Sequence, residues 1–160
     1  MDTEYIEIIK KYGNDILTST KMLEERNYLQ HGNVSVYEHS LKVCYIAIRI
    51  VKIFNLNVDM KALVRGALLH DFFLYDWHVP CEGRKLHAFH HARCAYENAK
   101  KEFELGKIEK DIILKHMFPV NIALPKYKES YIVSIADKLS ATHETIKESD
   151  HEILRLCLEG

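Results

Sequence analysis

The sequence predicts an all-α fold, a single-domain helical bundle. Three observations carry this. Almost every apolar residue recurs at helical spacing. Only three prolines interrupt 160 residues. No linker, internal repeat or low-complexity tract divides the chain, and its length suffices for one sizeable core.

Residues 3–11 and 14–28 read as two short amphipathic helices. Ser35-Val36-Tyr37-Glu38 has the form of a capping box, in which the first side chain accepts from the backbone of the fourth and the fourth reaches back. It should start a long helix running to about Phe54. Asn55-Leu56-Asn57-Val58 breaks that helix, and Asp59 caps the next, which ends near Asp71. Residues 74–86, with Pro80 and Gly83, read as an ordered loop. Helices over about Leu86–Phe103 and Ile108–Phe118 follow, stopped near Gly106 and at Pro119. The stretch 119–127 is a loop before a helix from about Glu129 to Ile146. A last short helix spans about His151–Leu158.

Composition narrows the function. Hydrophobic residues make up 48% and charged residues 28%, which argues against disorder. Net charge is -1 with no basic run, which disfavours duplex nucleic acid bound along its backbone and leaves room for a small phosphorylated ligand. Cys44, Cys81, Cys94 and Cys157 form no Cys-x-x-Cys pair, so zinc-finger chemistry is disfavoured and free thiols in a reducing cytosol are expected. The N-terminus lacks the order of a signal peptide, and no apolar run reaches the ~20 residues of a membrane span. A cytoplasmic protein is expected, with no membrane partner and its oligomeric state open.

Five segments each place a metal-binding side chain on an otherwise apolar or small-residue face. His39 shares a stripe with Val43, Ile46 and Ile50; His70 follows Leu63, Gly66 and Ala67; Asp71 follows Val64, Ala67 and Leu68. His91 sits with Ala88, Cys94 and Ala95, and His116 with Ile112 and Ile113. Asp137 lies among Val133, Ser134, Ser140 and Ala141. Ten His and eight Asp give roughly half a His-Asp dipeptide by chance, so that pair alone decides nothing. A single His on an apolar face is more often a hydrogen-bonded core residue. The ordered set is different, because five helices would each bury a costly group for no shared reason.

Four imidazoles and two carboxylates exceed the needs of one four-coordinate site and suit two divalent ions sharing a bridging carboxylate. Asp71 is the expected bridge. Mixed nitrogen and oxygen donors favour Fe, Mn, Co, Ni or Zn, with Mg possible at one position. Ions so held activate water at neutral pH and clamp a phosphoryl oxygen.

The ordered pattern resembles the HD-domain superfamily of metal-dependent phosphohydrolases over residues 30 to 145. Glu38-His39-Ser40-Leu41, Leu68-Leu69-His70-Asp71, Lys115-His116 and Ala136-Asp137-Lys138 look like the family's motifs. Leu86-His87-Ala88-Phe89-His90-His91 and Tyr75-Asp76-Trp77-His78 are similar to an uncharacterised bacterial branch. The resemblance implies that His39, His70, Asp71 and Asp137 hold one ion and that Asp71, His91 and His116 hold the other. His87, His90 and His91 compete for one of these positions; His91 is preferred for its register with Ala95, leaving His87 beside it as a substrate or supporting group. Two departures stand out: Phe72-Phe73-Leu74-Tyr75 replaces the lysine many relatives carry after the pair, and the Gly-Tyr-Pro signature of cyclic-di-GMP phosphodiesterases is missing.

Other residues carry weaker signals. Phe72, Phe73, Tyr75 and Trp77 read first as a hydrophobic cluster pinning their loop and second as a stacking platform for a base. Lys138 is assigned a substrate-phosphate contact, against a salt bridge with Glu144. Gln30-His31-Gly32 reads as an exposed turn, or as a flap over the site. Asp76 and His78 are solvated by default and proton shuttles otherwise. With Asp71, His87 and Lys138 as catalytic residues, the expected activity is hydrolysis of a small phosphorylated substrate such as a nucleotide. The rivals are a mixed-valent di-iron oxygenase and a non-catalytic nucleotide- or protein-binding module.

Overall fold

The computed structural model describes residues 3–31, 33–74 and 87–146, and the side chains of these except 31, 87–90 and 143–146. Helix α1 spans Thr3–Leu17 and α2 Thr20–Glu24, followed by a 3-10 turn over Glu25–Asn27. A two-stranded antiparallel hairpin, β1 (Leu29–His31) and β2 (Val34–Ser35), leads into α3 (Val36–Ile53). Then come α4 (Met60–Leu69), α5 (His87–Glu102), α6 (Lys107–Lys115) and α7 (Lys128–Ile146). The all-α expectation holds, with the small hairpin added.

The capping box forms as the sequence predicts. Ser35 Oγ accepts from Glu38 N at 3.2 Å while Ser35 N donates to Glu38 Oε2 at 3.0 Å. Asn55 closes α3 in the left-handed region at φ 47, and Asp59 caps α4 by accepting from Ala62 N at 2.9 Å. The left-handed Asn55 lets Leu56 N donate back to Val51 O at 3.0 Å, while at Asp59 the side chain itself supplies the cap.

Two expectations need correction before α3. The predicted break at residues 12–13 does not occur, and α1 runs unbroken through Gly13. A Cβ there would lie 2.4 Å from Leu68 Cδ1, so glycine serves close packing of α1 on α4 rather than a turn. The chain breaks instead at Ser19, whose side chain accepts from Met22 N and starts α2. The predicted helix over 14–28 is thus divided into the end of α1, α2 and the 3-10 turn. The expected loop beyond Leu74 and the expected helix over 151–158 lie outside the described residues.

Helix α3 is central and packs on α1, α4 and α7, while α4 also packs on α6. Tyr37, Ile48, Leu63, Leu68, Ile112 and Val133 are fully buried between them. Gly66 sets the spacing of α4 and α6, since a Cβ there would sit 2.4 Å from Ile112 Cδ1. Phe72 and Phe73 are core residues, as the first of their two readings has it. Phe72 meets Phe103 edge-on at 5.9 Å, and the Phe73 carbonyl accepts from Asn98 Nδ2 at 3.0 Å. No helix among the described residues is long and apolar enough to cross a membrane. Cys44 is buried with Sγ 3.8 Å from Val64 O, and Cys94 is half-buried with Sγ 3.7 Å from Phe73 O.

Candidate metal centre

Helix ends deliver three of the six side chains. His70 is the C-cap of α4 and His116 the C-cap of α6, and Asp71 follows directly on the first. Both imidazoles use Nδ1 in the same way: His70 Nδ1 lies 2.8 Å from Ala67 O, and His116 Nδ1 lies 2.9 Å from Ile113 O. A carbonyl only accepts, so each Nδ1 carries the proton and donates. Each bond also satisfies one of the orphan carbonyls of a helix C-terminus. The neutral ring then presents a bare lone pair at Nε2, the state a metal ligand needs. His39 comes from the second turn of α3, His91 from α5 and Asp137 from the middle of α7.

The six side chains converge, each no more than 8% exposed. They fall into two groups, His39, His70 and Asp137 in one and Asp71, His91 and His116 in the other. Within each group, one donor atom per residue lies within 4.8 Å of the others. His39 Nε2 is 3.1 Å from Asp137 Oδ1, and His70 Nε2 is 3.8 Å from the same oxygen. Asp71 stands between the groups. Its Oδ2 lies 3.3 Å from His70 Nε2 and 3.9 Å from His39 Nε2. Its Oδ1 lies 3.3 Å from His116 Nε2 and 3.5 Å from His91 Nε2. One carboxylate thus turns one oxygen to each group.

Three features make this donor set fit cations. His70 Nε2 and Asp71 Oδ1 are buried without a hydrogen-bond partner, which is costly unless something else binds them. His91 Nε2 and His116 Nε2 lie 2.9 Å apart, and two facing lone pairs repel unless a proton or a metal ion is shared near them. The donors are imidazole nitrogens and carboxylate oxygens, the mixture that suits first-row transition metals.

The charges agree. Burial would raise the pKa of Asp71, but the charge of His70 and contacts from His116 and His70 hold its carboxyl well below the usual range. Burial likewise opposes ionisation of Asp137, yet bonding to His39 and His70 keeps it depressed. Burial would lower the pKa of His70, but the Asp71 and Asp137 carboxylates raise it well above the ordinary value. Two buried carboxylates therefore stay ionised only beside positive charge, whether imidazolium or a metal cation supplies it.

Two further residues support the centre, Gln30 in keeping with the second of its sequence readings and Glu25 with no signal read there. Gln30, on β1, is buried rather than exposed and donates from Nε2 to Asp71 Oδ2 at 2.6 Å. That correction follows from the hairpin, which folds its strand inward over the pair. Glu25 is fully buried and accepts from Leu74 N at 3.0 Å, holding a leucine in the left-handed region at φ 58. Glu25 lies one helical step beyond buried Met22, a register that Ser19 as a cap could have revealed.

Lys138 Nζ donates to His116 O at 3.1 Å, Ser134 O at 3.2 Å and Ser134 Oγ at 3.0 Å, which engages all three of its protons. It ties the end of α6 to α7. Burial lowers its pKa against the pull of Asp137. Phe73 packs edge-on against His91 at 6.3 Å and closes that side of the centre. His87 opens α5 one turn before His91, and its side chain, like that of His90, lies outside the described residues.

Comparison with known proteins gives one match. No curated protein and no solved structure matches the chain. The family model for the HD domain matches residues 36–142, a stretch that begins at α3 and takes in all six converging side chains. Two thirds of the sequence lie within that match, and the chain belongs to the HD domain family.

Proposed function

We propose that this protein is a metal-dependent phosphohydrolase acting on a small phosphorylated substrate such as a nucleotide. In this reading His39, His70 and Asp137 would hold one divalent transition-metal ion, His91 and His116 would hold a second, and Asp71 would serve both. The observation that carries it is Asp71, with one oxygen toward each histidine group and one of those oxygens buried without a hydrogen bond. Two ions so placed supply Lewis acidity toward a phosphoryl oxygen and lower the pKa of water.

The chain's own residues do the rest. The Ala67 and Ile113 carbonyls fix the tautomer and aim of His70 and His116. Gln30 fixes the plane of the Asp71 carboxylate, and Phe73 keeps water from one side of His91. Lys138 acts here as a positioning residue, since its bond to the His116 carbonyl holds that ligand's backbone in place. A transition state at a phosphoryl group is stabilised by charge fixed in advance, which such a rigid arrangement provides.

The test is turnover of a panel of nucleotides and sugar phosphates by protein loaded with Mn, Co, Ni, Fe or Mg. Release of phosphate or of a nucleoside that disappears in Asp71→Ala supports the reading. No turnover of any phosphoester or anhydride, with oxygen uptake by the iron-loaded protein instead, would overturn it.

A further inference from the structure

Helix α7 has two faces. One carries Ile132, Val133, Ala136, Asp137 and Ser140 into the core and the centre. The other bears Tyr131, Ile135 and Leu139, spaced four apart, with 40%, 53% and 53% of their surfaces exposed. The segment beside it adds Val120, Ile122 and Leu124, of which Ile122 is 90% exposed. Three contacts fix this segment to the bundle: Phe118 against Tyr131 edge-on at 5.8 Å, Ser134 Oγ to Phe118 O at 2.6 Å, and Lys115 Nζ to Leu124 O at 2.7 Å. These contacts set the segment against the Tyr131 end of α7, so its exposed apolar residues adjoin those of the helix.

Together these side chains present on the order of 600 Å² of apolar surface, at or above the largest patch of a typical monomer. A standard interface buries about 800 Å² per partner, the order of area that this surface offers. We propose that this surface is the interface of a two-fold symmetric homodimer, with α7 of one copy lying antiparallel to α7 of a second.

Charge and register favour a second copy in that orientation. The exposed positions on this face are Lys128, Tyr131, Ile135, Leu139 and Thr142, which are symmetric in spacing about Ile135. A two-fold axis there sets Ile135 against its own copy, Tyr131 against the partner's Leu139 and Lys128 against the partner's Thr142. A parallel pair would instead stack lysine on lysine. The face carries no acidic residue at these positions, so nothing charged is forced into the centre of the contact. The segment bearing Ile122 adjoins the Tyr131 end of α7 and extends the apolar surface there. Asp137 projects from the opposite face of the same helix, so association leaves the metal centre untouched.

The experiment is light scattering and sedimentation of the full chain from about 1 to about 100 µM, where a standard-size interface is largely assembled. Twice the chain mass is expected for the wild type. Ile135→Lys, with its helicity checked by circular dichroism, should weaken association by at least ~100-fold, since the change falls twice at the centre of the contact. Ile135→Cys gives an independent readout and should form a covalent dimer on mild oxidation. Ile53→Cys, exposed at the end of α3, and the wild type should not. A wild type that stays monomeric throughout, a dimer unaffected by Ile135→Lys, or equal cross-linking through Ile53→Cys would each overturn the proposal.

Discussion

Glu25→Gln should stabilise the protein at alkaline pH and do little in acid. Glu25 is fully buried, and burial pushes its carboxyl up to about 8, against the opposing Leu74 N–H and with help from the negative charges of Asp71 and Glu24. Its other oxygen has no hydrogen-bond partner. Below the ordinary value of 4.5, folded and unfolded chains both hold the proton, and the group costs nothing. Between about 4.5 and about 8 the unfolded chain releases the proton while the folded chain keeps it. Stability therefore falls by about 1.4 kcal/mol per pH unit as pH rises through this window, and the loss levels off above it. The accumulated penalty is on the order of 5 kcal/mol, a large share of a typical domain's total. Glutamine stays neutral and keeps an acceptor for Leu74 N, so the variant escapes the penalty. Urea denaturation at pH 5 and pH 8.5, wild type against variant, isolates the effect, because every other titrating group is common to both. The two should lie within about 1 kcal/mol at pH 5 and diverge by several at pH 8.5, the variant being the more stable. An equal gap at both pH values would refute the assignment of a protonated Glu25.

Two further outcomes are expected. Gln30→Met keeps the buried volume but removes the donor to Asp71 Oδ2, and should weaken metal binding by about 10- to 100-fold in a competition with a chromophoric chelator; an unchanged affinity would mean that Gln30 does not orient the carboxylate. Gly66→Ala would drive a methyl group to 2.4 Å from Ile112 Cδ1 and 3.0 Å from its Cβ, a branched root that cannot swing aside. Separation of α4 from α6 should then cost about 1–3 kcal/mol and pull His70 from His116, whose rings lie 4.9 Å apart, and Ile112→Ala in the same chain should recover part of the loss.

Much of the fold was legible because its helix ends are written in short polar residues. Ser35 with Glu38, and Asp59 before Ala62, give their signals within four residues. Gly13 misled because local sequence does not distinguish a glycine that turns the chain from one that admits a neighbouring helix; Leu68, which decides it, lies 55 positions away. The convergence of His39, His70, Asp71, His91, His116 and Asp137 was legible for a different reason. Each interrupts a face whose other residues are apolar or small, and burial of that kind needs a shared cause. Gln30 and Glu25 carry no such contrast. Gln30 sits in a short hairpin whose polar and apolar residues do not alternate cleanly, and its role depends on how that hairpin packs against α3 and α7. The exposed stripe of Tyr131, Ile135 and Leu139 was equally hidden, since at helical spacing it looks like one more core face.

The shared position of Asp71 is the centre of the account, and metal content measured by elemental analysis tests it most directly. Wild-type protein should hold two transition-metal ions per chain. Asp71→Ala should lose both, because one oxygen faces each group, whereas Asp137→Ala should keep the ion on the side of His91 and His116. Two ions retained by a folded Asp71→Ala, or the same single ion lost in both variants, would contradict the bridge.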